Sequence, residues 1–165
     1  MSIELKVKIK RYIFLCLSIG VAALIFWFSH QPAVQSSDDS RSFILTLMDI
    51  IPHFAEMSEP EKFAIIGHIH SFVRKTAHFS IYALLGVFVV NCILTYTNTK
   101  KKALIYSAAL CFFYACSDEL HQLFIPGRSG EVRDVIIDFC GSLTGIFIVF
   151  IIMMLIEKIK RRYKK

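Results

Sequence analysis

Arg74, Lys75 and His78 lie on one apolar stretch of this 165-residue chain. Asp118, Glu119 and His121 lie on a second, and Asp134 and Asp138 open a third. Residues of these types do three kinds of chemistry. Arginine and lysine hold anions, and arginine offers a planar fork that matches a phosphate or carboxylate. Histidines and carboxylates transfer protons as general acids and bases. The same groups can also ligate a metal. Their apolar setting gives them weight, because Asp, Lys or Arg at bilayer depth costs roughly 2.5–3.5 kcal/mol each on insertion scales.

The surrounding elements are read from composition. Hydrophobic residues make up 55% of the chain and the mean hydropathy is +0.56, which is too apolar for an ordinary soluble domain of this size. Four runs account for the excess: 12–28, 76–94, 103–125 and 135–156. Each is about 17–23 residues, enough to cross a hydrocarbon core of about 30 Å. Backbone groups in lipid must find partners within their own segment, so each run is predicted to be a transmembrane helix. The first follows a basic arm, as a signal peptide does. No small-x-small cleavage pattern comes after it, so it reads as an uncleaved anchor. Tyr12 and Trp27 sit where interfacial aromatics belong.

The basic residues set an expected orientation. Lys6, Lys8, Lys10 and Arg11 precede the first span, and Lys100 to Lys102 join the second to the third. Lys158, Lys160, Arg161, Arg162, Lys164 and Lys165 follow the fourth. The positive-inside rule places all three groups, and hence both termini, in the cytoplasm of a cell-membrane protein. An even number of spans requires the same. The net charge of +6 is therefore a topology signal. No basic groove with interleaved aromatics suggests a nucleic-acid partner. The five cysteines fall inside the spans without metal-type spacing and read as free thiols.

The long outer loop, 29–75, carries further signals. Its start is rich in turn formers and reads as irregular up to residue 40. Residues 41–51 place apolar side chains at helical spacing, ended by Pro52. Ser58-Glu59-Pro60-Glu61 is a capping box with proline in the first turn. The helix it opens is expected to run through residue 73 into the second span. Short amphipathic helices at the membrane surface result, acting as a packing lid or as a gate.

Helical spacing turns the polar residues into stripes. Arg74, His78 and Tyr82 share one face of the second span. Tyr114, Asp118, His121 and Gln122 share a face of the third, with Glu119 at its flank. Asp134 and Asp138 share a face of the fourth, continued by Gly141 and Gly145. All three stripes occupy the same outer half of the bilayer, so helices two, three and four should enclose one polar pocket. Mutual pairing is the plain alternative: Arg74, Lys75, Arg128 and Arg133 balance Asp118, Glu119, Asp134 and Asp138. The Gly141–Gly145 spacing predicts close helix packing. Pro126-Gly127-Arg128-Ser129-Gly130 supplies two glycines and a guanidinium for an anion. No HExxH-like motif is present and the carboxylates have basic partners, so neither a metal nor a cofactor is expected.

Two stretches resemble the signature segments of VanZ-like membrane proteins, the teicoplanin resistance protein VanZ family. They are RKTAHFSIYALLG, residues 74–86, and SDELHQLFIPGRSGEVRDVIIDFCGSLTG, residues 117–145. The motif positions that carry over are Arg74, Lys75, His78, Tyr82, Asp118, Glu119, Gln122, Arg128, Asp134 and Asp138. The chain departs from the founding member in its long outer loop and in the R-K-x-A-H-F form of the first motif. The resemblance implies a cell-envelope role linked to antibiotic resistance and teicoplanin susceptibility, without a settled reaction.

The expectation is thus an all-α, four-span membrane protein forming one domain over 1–165, with both termini cytoplasmic and a pocket facing outward. The pocket would bind or act on a lipid-linked or anionic envelope component in the bilayer. Arg74, Lys75, Tyr82, Gln122, Arg128, Asp134 and Asp138 are the binding candidates. His78, Asp118, Glu119 and His121 are the candidates for catalysis. Whether any reaction occurs stays open at this point. The alternatives are a membrane hydrolase or transferase for a phosphate or acyl group, and a structural subunit whose charges only lock the helices.

Overall fold

A computed structural model describes residues 2–97 and 99–163, and Lys164 and Lys165 of the basic tail lie outside them. The described residues form six helices and no strand: α1 (Ile3–Ser29), α2 (Ala33–Ile50), α3 (Pro52–Ala55), α4 (Glu59–Ile93), α5 (Lys100–Gln122) and α6 (Val132–Arg162). Four segments are long and apolar enough to cross a membrane: α1, residues Ile69–Ile93 of α4, α5 and α6. Their outward faces carry large apolar side chains, such as Trp27 on α1 and Phe113 on α5. An apolar exterior of this extent suits contact with lipid.

The outer segment departs from the sequence expectation at its start. The stretch up to residue 40 was expected to be irregular, yet α2 begins at Ala33. Pro32 takes the position before the helix, so its missing N–H removes no bond there. Pro52 does mark a break, since it opens the short α3. α4 is continuous over 35 residues, as the capping box predicts. The Glu61 carboxylate accepts from the Ser58 N–H at 3.0 Å. α2 docks on the projecting part of α4 through Ile44, Met48 and Ile66. Lys62 reinforces the contact with a 2.8 Å ion pair to Asp49.

α4 is the central helix, and α1, α2, α5 and α6 all pack against it. The closest approach is to α6, where glycines face carbonyl groups. A Cβ on Gly141 would strike the Phe79 carbonyl, and one on Gly145 would strike the Ala83 carbonyl. One on Gly86 would strike the Ser142 carbonyl from the opposite side. The small-xxx-small spacing thus brings two backbones together. Gly145→Ala should force them apart at a cost of about 1–3 kcal/mol or more. Thermal unfolding in dodecyl maltoside micelles should show a lower Tm, and an unchanged Tm would refute the tight seam.

The helix ends define two poles. At one pole Arg11 donates to the Thr95 carbonyl at 2.9 Å, and Lys100 pairs with Glu157 at 2.7 Å. At the other, the C-terminal ends of α1 and α5 meet the first turns of α6 and the middle of α4. The polar residues singled out in the sequence gather at this second pole. All five cysteines are free.

Candidate functional site

Asp118 is the centre of the second pole. Its carboxylate is buried and reached by three helices. Ser29 of α1 donates to Oδ2 at 2.8 Å, Tyr82 of α4 at 3.1 Å, and Gln122 of its own helix at 3.2 Å. The stripes on α4 and α5 therefore face one another, as their spacing requires. Gln122 also donates to Glu119 Oε1 at 3.1 Å, while the Glu131 N–H at the start of α6 donates to Glu119 Oε2 at 3.0 Å. Asp138 lies one turn into the membrane part of α6 and is 1% exposed. His78 Nδ1 stands 4.0 Å from its Oδ1.

A cleft of about 80 Å³ opens above these groups. Arg74, Lys75, His78, Glu119, Gln122, Arg128, Asp134 and Asp138 contribute to its walls. The stripe residues of three helices are thus brought together, with Tyr82 and Asp118 beneath. α1 is an addition. Ser29 is fully buried against Asp118, although the sequence reading assigned the enclosure to α4, α5 and α6 alone. An uncharged serine at the end of an apolar run carries little signal by itself. Its depth, matched to that of Asp118, is the clue available.

His121, expected at the centre, and Tyr114, expected on the same stripe, lie elsewhere. His121 is absent from the cleft wall and stacks on Phe26 at 4.6 Å, with its Nε2 3.3 Å from His30 Nδ1. The 100° step between neighbouring helical positions turns it toward α1. Tyr114 donates to the Ala22 carbonyl of α1 at 2.6 Å. Both belong to the α1–α5 seam.

The expected four-to-four charge pairing is realised only once among the described residues, between Lys75 and Asp134 at 3.0 Å. Arg133 is exposed and forms no ion pair with the described residues. Arg128 is turned to another task. Its Nε donates to the Gln31 carbonyl and its Nη2 to the Phe28 carbonyl, each at 2.8 Å. Its Nη1 donates to Gln122 Oε1 at 3.1 Å. The guanidinium thereby caps the end of α1, where carbonyls lack partners and a cation is favoured. Burial and the nearby Arg74 cation pull the Arg128 pKa below its ordinary value, though it remains charged. Two of the five N–H groups of a guanidinium are left for a ligand. Gly127 adopts φ +75° in the turn before it, a conformation that glycine takes without penalty. Gly130 packs on the Glu119 carbonyl and Leu123, so it serves the α5–α6 corner.

Arg74 is the exception. It forms no side-chain hydrogen bond or ion pair with the described residues. It lines the polar cleft and also a second cavity of about 420 Å³ between α1, α2 and α4. Ile25, Phe28, Phe43, Val73, Ala77 and Ile81 make that cavity mainly apolar. His78 is shared between the two as well. Sequence periodicity gave no hint of this groove, because α2 was not expected to reach back to the membrane end of α1.

Four apolar spans around a buried polar cluster define a multi-pass helical membrane protein. The chain matches the VanZ/LLP1 family over residues 14–154 and belongs to it. That match covers every element of the site. No curated protein and no solved structure matches the chain.

Proposed function

We propose that this VanZ-family protein binds a lipid-linked, anionic component of the cell envelope at a pocket on the extracytoplasmic side of the cell membrane. The observation that carries the reading is the Arg74 guanidinium, without a partner among the described residues and shared by a polar cleft and an apolar groove. A phosphate in the cleft would meet Arg74, with Lys75, Tyr82 and Gln122 holding the surrounding network and Asp134 and Asp138 orienting the basic groups. An acyl or prenyl chain would lie in the groove. Arg128 would add its two remaining N–H groups. The orientation rests on the basic residues at the opposite pole, which the positive-inside rule favours on the cytoplasmic side together with both termini. Any effect on teicoplanin susceptibility would follow indirectly, through the component held.

Mass spectrometry of lipids retained by the purified protein tests this. A phosphate-bearing lipid should be enriched over the bulk membrane, and Arg74→Ala should lower its retention about tenfold, as loss of a charge-assisted contact predicts. No enrichment, or equal retention by the variant, would overturn it. The position of His78, 4.0 Å from Asp138 at the cleft wall, favours a second reading. In that reading the protein is a hydrolase or transferase acting on the same phosphate or acyl linkage, with His78, Asp118 and Glu119 in the chemistry. His121 is too far turned toward α1 to serve there. Release of phosphate or transfer of the headgroup from the retained lipid distinguishes turnover from binding. The lock-only reading is weakened by Arg74, which pairs with none of the described residues it could lock.

A further inference from the structure

Beneath the cleft, Asp118, Glu119 and Asp138 are all buried, and one oxygen from each lies within 4.8 Å of the others. We propose that these three carboxylates bind a hard divalent cation. The sequence reading expected no metal because basic side chains would neutralise the acids. That neutralisation does not happen: no lysine or arginine among the described residues reaches any of the three within ion-pair distance, and Lys75 is spent on Asp134. Arg128, which lines the same cleft as Glu119 and Asp138, directs its bonds to carbonyls and to Gln122.

The hydrogen-bond pattern supplies a second, separate argument. All three donors to Asp118 converge on Oδ2. Its Oδ1 is buried with no partner. Asp138 Oδ2 is likewise buried and bare. Asp118 is 3% exposed and Asp138 1%, so bulk solvent does not reach these oxygens. A bare carboxylate oxygen of this kind carries a large desolvation penalty. Several donors on one oxygen and none on the other is the arrangement of a carboxylate held in place from behind, with its second oxygen kept for a ligand.

The spacing fits such an ion. Two ligands on one cation can be separated by at most twice the bond length, which is about 4.1 Å for Mg²⁺ and roughly 4.6–5.2 Å for Ca²⁺. Three oxygens within 4.8 Å of one another need a small contraction to close on a Ca²⁺-sized ion and a larger one to close on Mg²⁺. An all-oxygen donor set selects hard cations over zinc or copper. With three acids against one divalent ion, one negative charge remains, and the Arg74 and Arg128 side of the cleft faces it.

The site does not depend on the anion reading, so its test uses metal alone, in phosphate-free maltoside micelles after stripping with EDTA. Electron paramagnetic resonance of Mn²⁺ should show about one saturable Mn²⁺ per chain, displaced by Ca²⁺ and by Mg²⁺, with Ca²⁺ the stronger competitor. Asp118→Asn, Glu119→Gln and Asp138→Asn should each weaken Mn²⁺ binding by about tenfold or more. Glu157→Gln, at the opposite pole, should leave it unchanged. Absence of saturable Mn²⁺ binding by the parent protein would overturn the proposal, even if a variant failed to accumulate. Undiminished binding by the three variants would overturn it too. In either case shared protons would have to neutralise the cluster. Metal binding with no retained lipid would remove the anion reading and leave the cation site standing.

Discussion

Asp118→Leu should abolish accumulation of the folded protein, whereas Asp118→Asn should accumulate normally and fail in function. The two substitutions separate the two roles of one side chain. Leucine removes the acceptor shared by Ser29, Tyr82 and Gln122. Each buried donor left without a partner costs about 1–3 kcal/mol, and the Ser29 and Tyr82 hydroxyls both lose theirs while Gln122 keeps Glu119, a large share of the stability of any chain this size. Asparagine keeps an acceptor at the Oδ2 position and places its NH₂ where Oδ1 has no partner. The links from α1, α4 and α5 survive, but the negative charge does not. Fluorescence size-exclusion profiles of the two variants report accumulation, and retained lipid phosphate reports function. Full function in Asp118→Asn would reduce Asp118 to a structural clamp and end the catalytic reading for it.

The second large effect is expected at Arg128. Its three bonds join the loop before α6 to the end of α1 and to Gln122. Bonds from a charged donor contribute about 1.5–3 kcal/mol each, and partial exposure trims the total to about 4 kcal/mol. Arg128→Ala should lower the Tm in micelles accordingly. Arg128→Lys should rescue little, because an ammonium on a flexible stem cannot reproduce a planar fork directed at three acceptors. Rescue by lysine would show that charge alone matters, and an unshifted Tm in Arg128→Ala would refute the clamp.

The span count and the convergence of stripes were legible because both follow from periodicity. Insertion cost confines Asp118 and Asp138 to the interior, and a 3.6-residue repeat fixes which neighbours accompany them. The same rule foretold the glycine seam at Gly141 and Gly145. What periodicity could not provide was the partner of each group. Arg128 reads as an anion ligand in sequence because its loop is glycine-rich. Its bonds instead go to carbonyls about a hundred positions earlier in the chain, a contact only the fold creates. His121 shows the limit of a helical face: one 100° step separates a cleft wall from the α1 seam. Ser29 was missed because it carries no charge and closes an apolar run, and the groove because the repeat in residues 41–51 does not say which helix it packs against. The expected neutralisation of the acids failed for a related reason. Matching totals of opposite charge do not ensure contact when basic side chains have carbonyls or solvent to satisfy them.

α4 runs unbroken from Glu59 to Ile93. At 1.5 Å per residue its length is about 52 Å, well beyond the roughly 30 Å of hydrocarbon it must cross. No proline interrupts it past its first turn, and interior prolines are the commonest hinge in such a helix. Arg74 and His78 are therefore fixed to a stiff mast whose upper section, carrying α2 through Lys62 and Asp49, stands clear of the bilayer core. A twist or tilt imposed at the pocket must appear at the top of that mast, and a binder gripping the top would be felt below. The helices beyond the span thus give a handle, away from the spans themselves, on groups buried among them.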